Sequence, residues 1–203
     1  MKKLITVVLA IVLALAISAP AMAKGGDLSI KVGTEFWITN NGWYDVDNYE
    51  IYPYPFVELN WALSDRLNLT VKDTIWEYYG DDWFDLQTDA MLGYKVAERV
   101  GYAPELWIVG GLSVQSNTEN IFDDYGPVFG AKAVLPLTKA LSLSGTVNAT
   151  LWQDWNQCSY FYGAELAYAV RPWLTANIGV GHSTNSWWYE ADRIYSTGLT
   201  FSF

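Results

Sequence analysis

Apolar and polar residues alternate along most of the chain, and the alternation has a period of two. Leu28, Ile30, Val32, Thr34, Phe36 and Ile38 share one phase, while Ser29, Lys31, Gly33, Glu35 and Trp37 take the other. Successive side chains leave a strand on opposite faces, so this period predicts half-buried β-strands. The pattern returns at Leu141, Leu143, Gly145, Val147, Ala149 and Leu151, and again at Leu174, Ala176, Ile178 and Val180. Ten such runs are predicted, over residues 28–39, 51–63, 67–79, 84–96, 105–115, 127–137, 141–152, 160–170, 174–183 and 194–203. Helix-period patterns are almost absent, and the class is all-β.

The connections alternate in length. Leu63-Ser-Asp-Arg-Leu67, Leu137-Thr-Lys-Ala-Leu141 and Val170-Arg-Pro-Trp-Leu174 share one design, an apolar residue, three turn residues and a leucine that restarts the strand. Residues 97–104 hold the equivalent place with a longer connection. Between these lie polar, aromatic loops at 40–50, 80–83, 116–126, 153–159 and 183–193. Five loops at one end and four tight turns at the other describe ten up-and-down strands, with both chain ends on the tight-turn side.

The first residues have a different character. Lys2-Lys3, an apolar run over 4–17 and Ala21-Met22-Ala23 make a secretory signal peptide, too short to be a membrane-crossing helix. The expected division is therefore 1–23 as signal peptide and 24–203 as one barrel domain. Without Lys2 and Lys3, ten basic residues face twenty-two acidic ones, a balance that repels nucleic acid. The single cysteine, Cys158, permits no internal disulfide and reads as a loop thiol without a role.

Alternation alone fits a secreted sandwich as well as a membrane barrel. Strand length favours the barrel, since runs of this size match a tilted crossing of ~25 Å of hydrocarbon. Aromatics gather where strands meet turns, at Trp61, Tyr102, Trp173 and Phe203 on one side and at Trp83, Phe84, Tyr125, Trp155, Tyr160 and Trp187 on the other. Such belts mark the two membrane interfaces. The polar phase carries both charge signs, at Lys31, Glu35, Glu58, Lys72, Asp85, Asp89, Lys95, Glu105, Lys132 and Glu165. A closed barrel brings these together in its lumen, with Trp37 beside them. In the third strand the phase of Leu67, Leu69 and Val71 sends Asp73 into lipid. A β-bulge near Lys72-Asp73 is therefore expected, turning Asp73 inward and Thr74, Trp76 and Tyr78 outward. Eight strands, with two runs misread, are the alternative.

The chain ends in a strand of its own, Tyr195 to Phe203. Ser196-x-Gly198-x-x-Phe201-x-Phe203 resembles the C-terminal insertion signal of bacterial outer-membrane β-barrel proteins. The resemblance implies a closed antiparallel up-and-down transmembrane β-barrel in the outer membrane of a Gram-negative bacterium. It further implies barrel insertion machinery reading Gly198, Phe201 and Phe203, outer-membrane lipid and lipopolysaccharide as partners, and periplasmic termini. The last strand should close on the first, with Tyr195, Thr197, Leu199, Phe201 and Phe203 facing lipid.

Candidate chemistry is sparse. His182, near Thr184 and Glu190, resembles the active-site region of the outer-membrane lipid A deacylase family, but that family has serine where Thr184 stands, and Ser183 takes the opposite face. Ten strands are also similar to the omptin proteases; Asp45-Val-Asp47 imitates one of their pairs, and the second is missing. No enzyme, cofactor or metal site is expected. Asp45, Asp47, Glu50, Asp81, Asp82, Glu119, Asp123, Asp124, Glu190 and Asp192 make an acidic outer rim, most simply a solvated one. Trp187-Trp188, with Asp45, Asp47, Asp123 and Asp124, are the loop residues most suited to binding. The expected function is a barrel with a narrow, charged lumen, serving as a small-solute channel or a scaffold. Its rivals are a surface protein binding glycan or lipopolysaccharide through these loops, and a lipid-modifying enzyme.

Overall fold

A computed structural model describes residues 27–40, 49–77, 84–117, 124–153, 158–185 and 191–203. They form ten antiparallel strands: β1 (Leu28–Asn40), β2 (Tyr49–Ser64), β3 (Leu67–Glu77), β4 (Phe84–Ala97), β5 (Glu105–Asn117), β6 (Asp124–Pro136), β7 (Leu141–Leu151), β8 (Cys158–Arg171), β9 (Leu174–Asn185) and β10 (Ala191–Ser202). Each pairs with its neighbours in chain order, and β10 pairs with β1, so the sheet is a closed barrel. The eight-strand alternative falls. Closure removes both free edges, which an isolated sheet would expose to aggregation.

The seam is continuous from Ser29–Ser202 to Ile38–Arg193. The last residue is tied down as well, because the Phe203 N–H donates to the Leu28 carbonyl at 2.9 Å. Gly33 and Gly198 face each other across the seam. A β-carbon on Gly198 would come within 2.9 Å of the Val32 carbonyl oxygen and 3.4 Å of the Lys31 side chain. The glycine of the terminal motif therefore lets the two seam backbones approach closely.

The tight turns hold the expected places, and the one between β6 and β7 is built by local bonding. Thr138 Oγ1 accepts from the N–H groups of Ala140 and Leu141 at 3.1 and 3.0 Å, a hydroxyl-closed turn. In the longer connection between β4 and β5, Gly101 takes a φ of 62°. That left-handed conformation is open to glycine at little strain. Register shifts occur at Ala62/Ser64, Lys95/Ala97 and Ala169/Arg171, all beside tight turns.

Prolines end two ladders. Pro53 and Pro55 pair with β1, and the β2–β3 ladder begins only at Phe56–Thr74. Pro127 pairs with β5, and the β6–β7 ladder begins one residue later at Val128. Proline has no N–H to give, so it fits where one side of the strand needs none.

The expected bulge at Lys72-Asp73 is absent. Pairing runs without a shift from Phe56–Thr74 to Ala62–Asn68 on one side and from Leu67–Tyr94 to Glu77–Phe84 on the other. Lys72 and Thr74 both line the lumen and Thr74 is buried, so Asp73 between them faces outward. A neighbour on the same face compensates it: Thr88 Oγ1 donates to Asp73 Oδ1 at 2.7 Å. One cross-strand hydroxyl costs less than breaking two continuous ladders, so the carboxylate stays on the outer wall. Tyr78 lies outside the described residues.

The other phase of the wall is an apolar surface. Ile108, Phe129 and Val147 are each more than half exposed, and every one alternates with a lumen-facing neighbour. So wide an exposed apolar band needs an apolar solvent. Tyr195 and Leu199 of β10 are exposed in the same way, and Phe201 stacks on Trp173 with centroids 6.4 Å apart.

A charged lumen as the candidate functional site

The inward phase of all ten strands encloses one continuous cavity of about 910 Å³. Lys31, Glu35, Glu58, Lys72, Asp89, Glu105, Lys132 and Glu165 all line it. Lys95 joins them through an ion pair with Glu105 at 3.7 Å. Asp85 belongs to β4, but its side chain lies outside the described residues.

Strand order shows how these charges are spread. Lys31 of β1 binds Glu165 of β8, reaching past β10 and β9, whose lumen positions there are Gly198 and Gly179. The pair is a chord across the barrel. Lys72 of β3 binds Glu35 of β1, and both lysines flank the Phe56 ring of β2, at 5.4 Å for Lys31 and 5.0 Å for Lys72. Ammonium groups over an aromatic face gain from the ring quadrupole. The result is a belt running Glu165, Lys31, Phe56, Lys72, Glu35 along one side of the lumen.

Polar side chains complete the belt. Glu58 accepts from Asn60 Nδ2 at 2.7 Å, and Asn60 Oδ1 accepts from the Thr70 hydroxyl at 2.7 Å. At the tight-turn mouth Lys95 lies over the Trp107 ring at 5.2 Å. At the loop mouth Trp152 is buried and donates from Nε1 to Ser159 Oγ at 2.8 Å. Trp37 packs edge-on against Tyr54 at 5.9 Å. The opposite wall, β5 to β7, carries small residues such as Gly111, Thr146 and Asn148.

The sequence pattern missed Phe56, Trp107 and Trp152 as lumen residues, although the phase of Glu58 and Glu105 was enough to place the first two. It also misplaced two loop residues. Asp124 opens β6, lines the cavity, and accepts from the N–H groups of Tyr125 at 2.8 Å and Gln153 at 3.2 Å. It is a strand-end residue holding backbone. Cys158 opens β8 and is not a loop thiol. Asp45, Asp47, Asp123, Trp187 and Trp188 lie outside the described residues. His182 sits against the Tyr162 ring at 5.1 Å, while Ser183 lines the lumen, so the two are on opposite faces.

The fold and the apolar outer wall define a class, the closed antiparallel transmembrane β-barrel. No family model matches the sequence, and no curated protein matches it. Solved structures do. The outer-membrane protease OmpT of Escherichia coli is similar with a TM-score of 0.55 at 10% identity, over 88% of this chain and 96% of that one. An outer-membrane channel of Pseudomonas putida F1 gives a TM-score of 0.49 at 15% identity, over 88% and 96%. The attachment protein Ail of Yersinia pestis gives 0.39 at 12%, over 88% and 99%. At 10% identity the likeness to the protease shows a shared fold alone.

Proposed function

We propose that this protein is a narrow outer-membrane channel for small polar solutes, throttled by its own charged side chains. The observation that carries this reading is a cavity lined by all ten strands, from Glu105 and Trp107 beside the tight turns to Asp124 and Trp152 beside the loops. Eight-stranded barrels fill their interior with side chains, and sixteen-stranded ones leave a wide water channel. About 910 Å³ spread over ~25 Å of membrane admits water and small solutes, far less than a general porin. In this reading the tight-turn end and both termini face the periplasm, because short turns take that side in such barrels.

Single-channel recording on the purified protein in planar bilayers is the test. The expected result is a small, steady conductance above the leak of protein-free bilayers. A silent barrel that still migrates as a folded, heat-modifiable species would refute the channel and leave a scaffold.

A further inference from the structure

We infer that Asp89 sets the ionic preference of the lumen, and that the barrel passes small monovalent cations, inorganic or ammonium-type, in preference to anions. This rests on the channel reading and adds the class of solute. Three lumen carboxylates are each bound to an ammonium: Glu165 to Lys31, Glu35 to Lys72 and Glu105 to Lys95. Glu58 lies in the combined field of Lys31, Lys72 and Lys132.

Asp89 shares the field of Lys72 with Glu58, but among the described residues no ammonium is bound to it. Its two oxygens accept from Gln87 Nε2 at 3.1 and 3.2 Å. Among the described residues no ammonium lies within 4.0 Å of it. Lys72 stands beside it in register on β3, but that ammonium is held by Glu35. On its other side, in register on β5, Ser113 is wholly buried and its hydroxyl oxygen has no hydrogen-bond partner. Asp89, not Ser113, lines the bore, and a carboxylate without a bound ammonium there attracts a cation and repels an anion.

The surrounding balance agrees. Around Phe56 and Glu58, Lys31, Lys72 and Lys132 face Glu35, Glu58, Asp89 and Glu165, and the carboxylates lead by one. A passing cation meets a net negative field in a narrow, low-dielectric bore, where fixed charge acts strongly.

Zero-current potentials of the full-length barrel in a KCl gradient test the inference. The wild type should show the sign that marks potassium as the more permeant ion. Asp89→Asn should move the potential toward zero, Asp89→Glu should keep it, and Lys132→Gln should drive it further toward potassium. Heat-modifiable migration checks folding, and if Asp89→Asn does not fold, Lys132→Gln carries the test from the opposite sign. A conducting barrel that prefers chloride, or potentials unmoved by either change of charge, overturns the inference and leaves the channel standing. A barrel that does not conduct overturns both.

Discussion

Lys72 and Asp73 are adjacent in β3 and opposite in charge, and the barrel holds them by opposite means. Lys72 points into the lumen, where Glu35 binds it, the Phe56 ring lies beneath it and Asp89 stands beside it in register. Asp73 points into the outer wall, where the Thr88 hydroxyl is its hydrogen-bond donor. A lumen charge recruits partners from several strands, because every strand contributes to the same small volume. A charge on the outer wall reaches only the two neighbouring strands. The same net charge is therefore a member of a network on one face and a local compromise on the other.

If that contrast is right, removing a lumen charge has the larger effect. Lys31→Met leaves Glu165 without its chord partner and Glu58 with a weakened field, and breaking a largely buried ion pair costs about 3 kcal/mol. Urea unfolding in lipid vesicles should show that loss, and Lys31→Met with Glu165→Leu should recover most of it. The comparison breaks if the single change is silent, since the lumen would then be wet enough to solvate an orphaned carboxylate. Conductance should rise in the double variant, because the chord is gone.

Phe56→Leu is the next largest. It keeps apolar bulk and removes the ring face shared by Lys31 and Lys72, worth roughly 1 kcal/mol for each partly desolvated cation. A stability loss without a change in the β1–β2 and β2–β3 ladders, seen as unchanged far-ultraviolet circular dichroism, would assign it to those contacts. A loss equal to that of Phe56→Ala would mean that the ring acts as filler.

How far these features were legible differs between the faces for a physical reason. Phase is local, so alternation placed ten strands, the seam partners Leu28 to Ile38 and the outward set Tyr195, Thr197, Leu199, Phe201 and Phe203. It also placed Glu58 and Lys72 on the lumen phase. Pairing is not local. The Lys31–Glu165 pair spans 134 positions of sequence and exists only because closure puts β8 three strands from β1. Asp73 is illegible for another reason: its cost on the outer wall depends on the Thr88 hydroxyl, which only the β3–β4 register brings to it. The prolines at 53, 55 and 127 show the same dependence on neighbours, since each is tolerated only where one ladder has stopped.

The smallest effect sharpens the contrast most, because its sign is opposite. Asp73→Val removes a carboxylate from the outer wall, flanked on its own strand by Val71 and Ile75 and across it by Val57. Acidic residues on a lipid face are less unfavourable than basic ones, and the penalty shrinks toward the interfaces, so the gain should be about 1 kcal/mol. Part of it is lost because Thr88 keeps a hydroxyl without its acceptor. The double variant Asp73→Val with Thr88→Val should therefore be the most stable of the set, and Thr88→Val alone the least, since it strips Asp73 of its donor. Urea midpoints in vesicles order the four proteins. If Asp73→Val is destabilising instead, the carboxylate is needed where it stands, and the outer wall of β3 and β4 is not a surface that meets lipid alone.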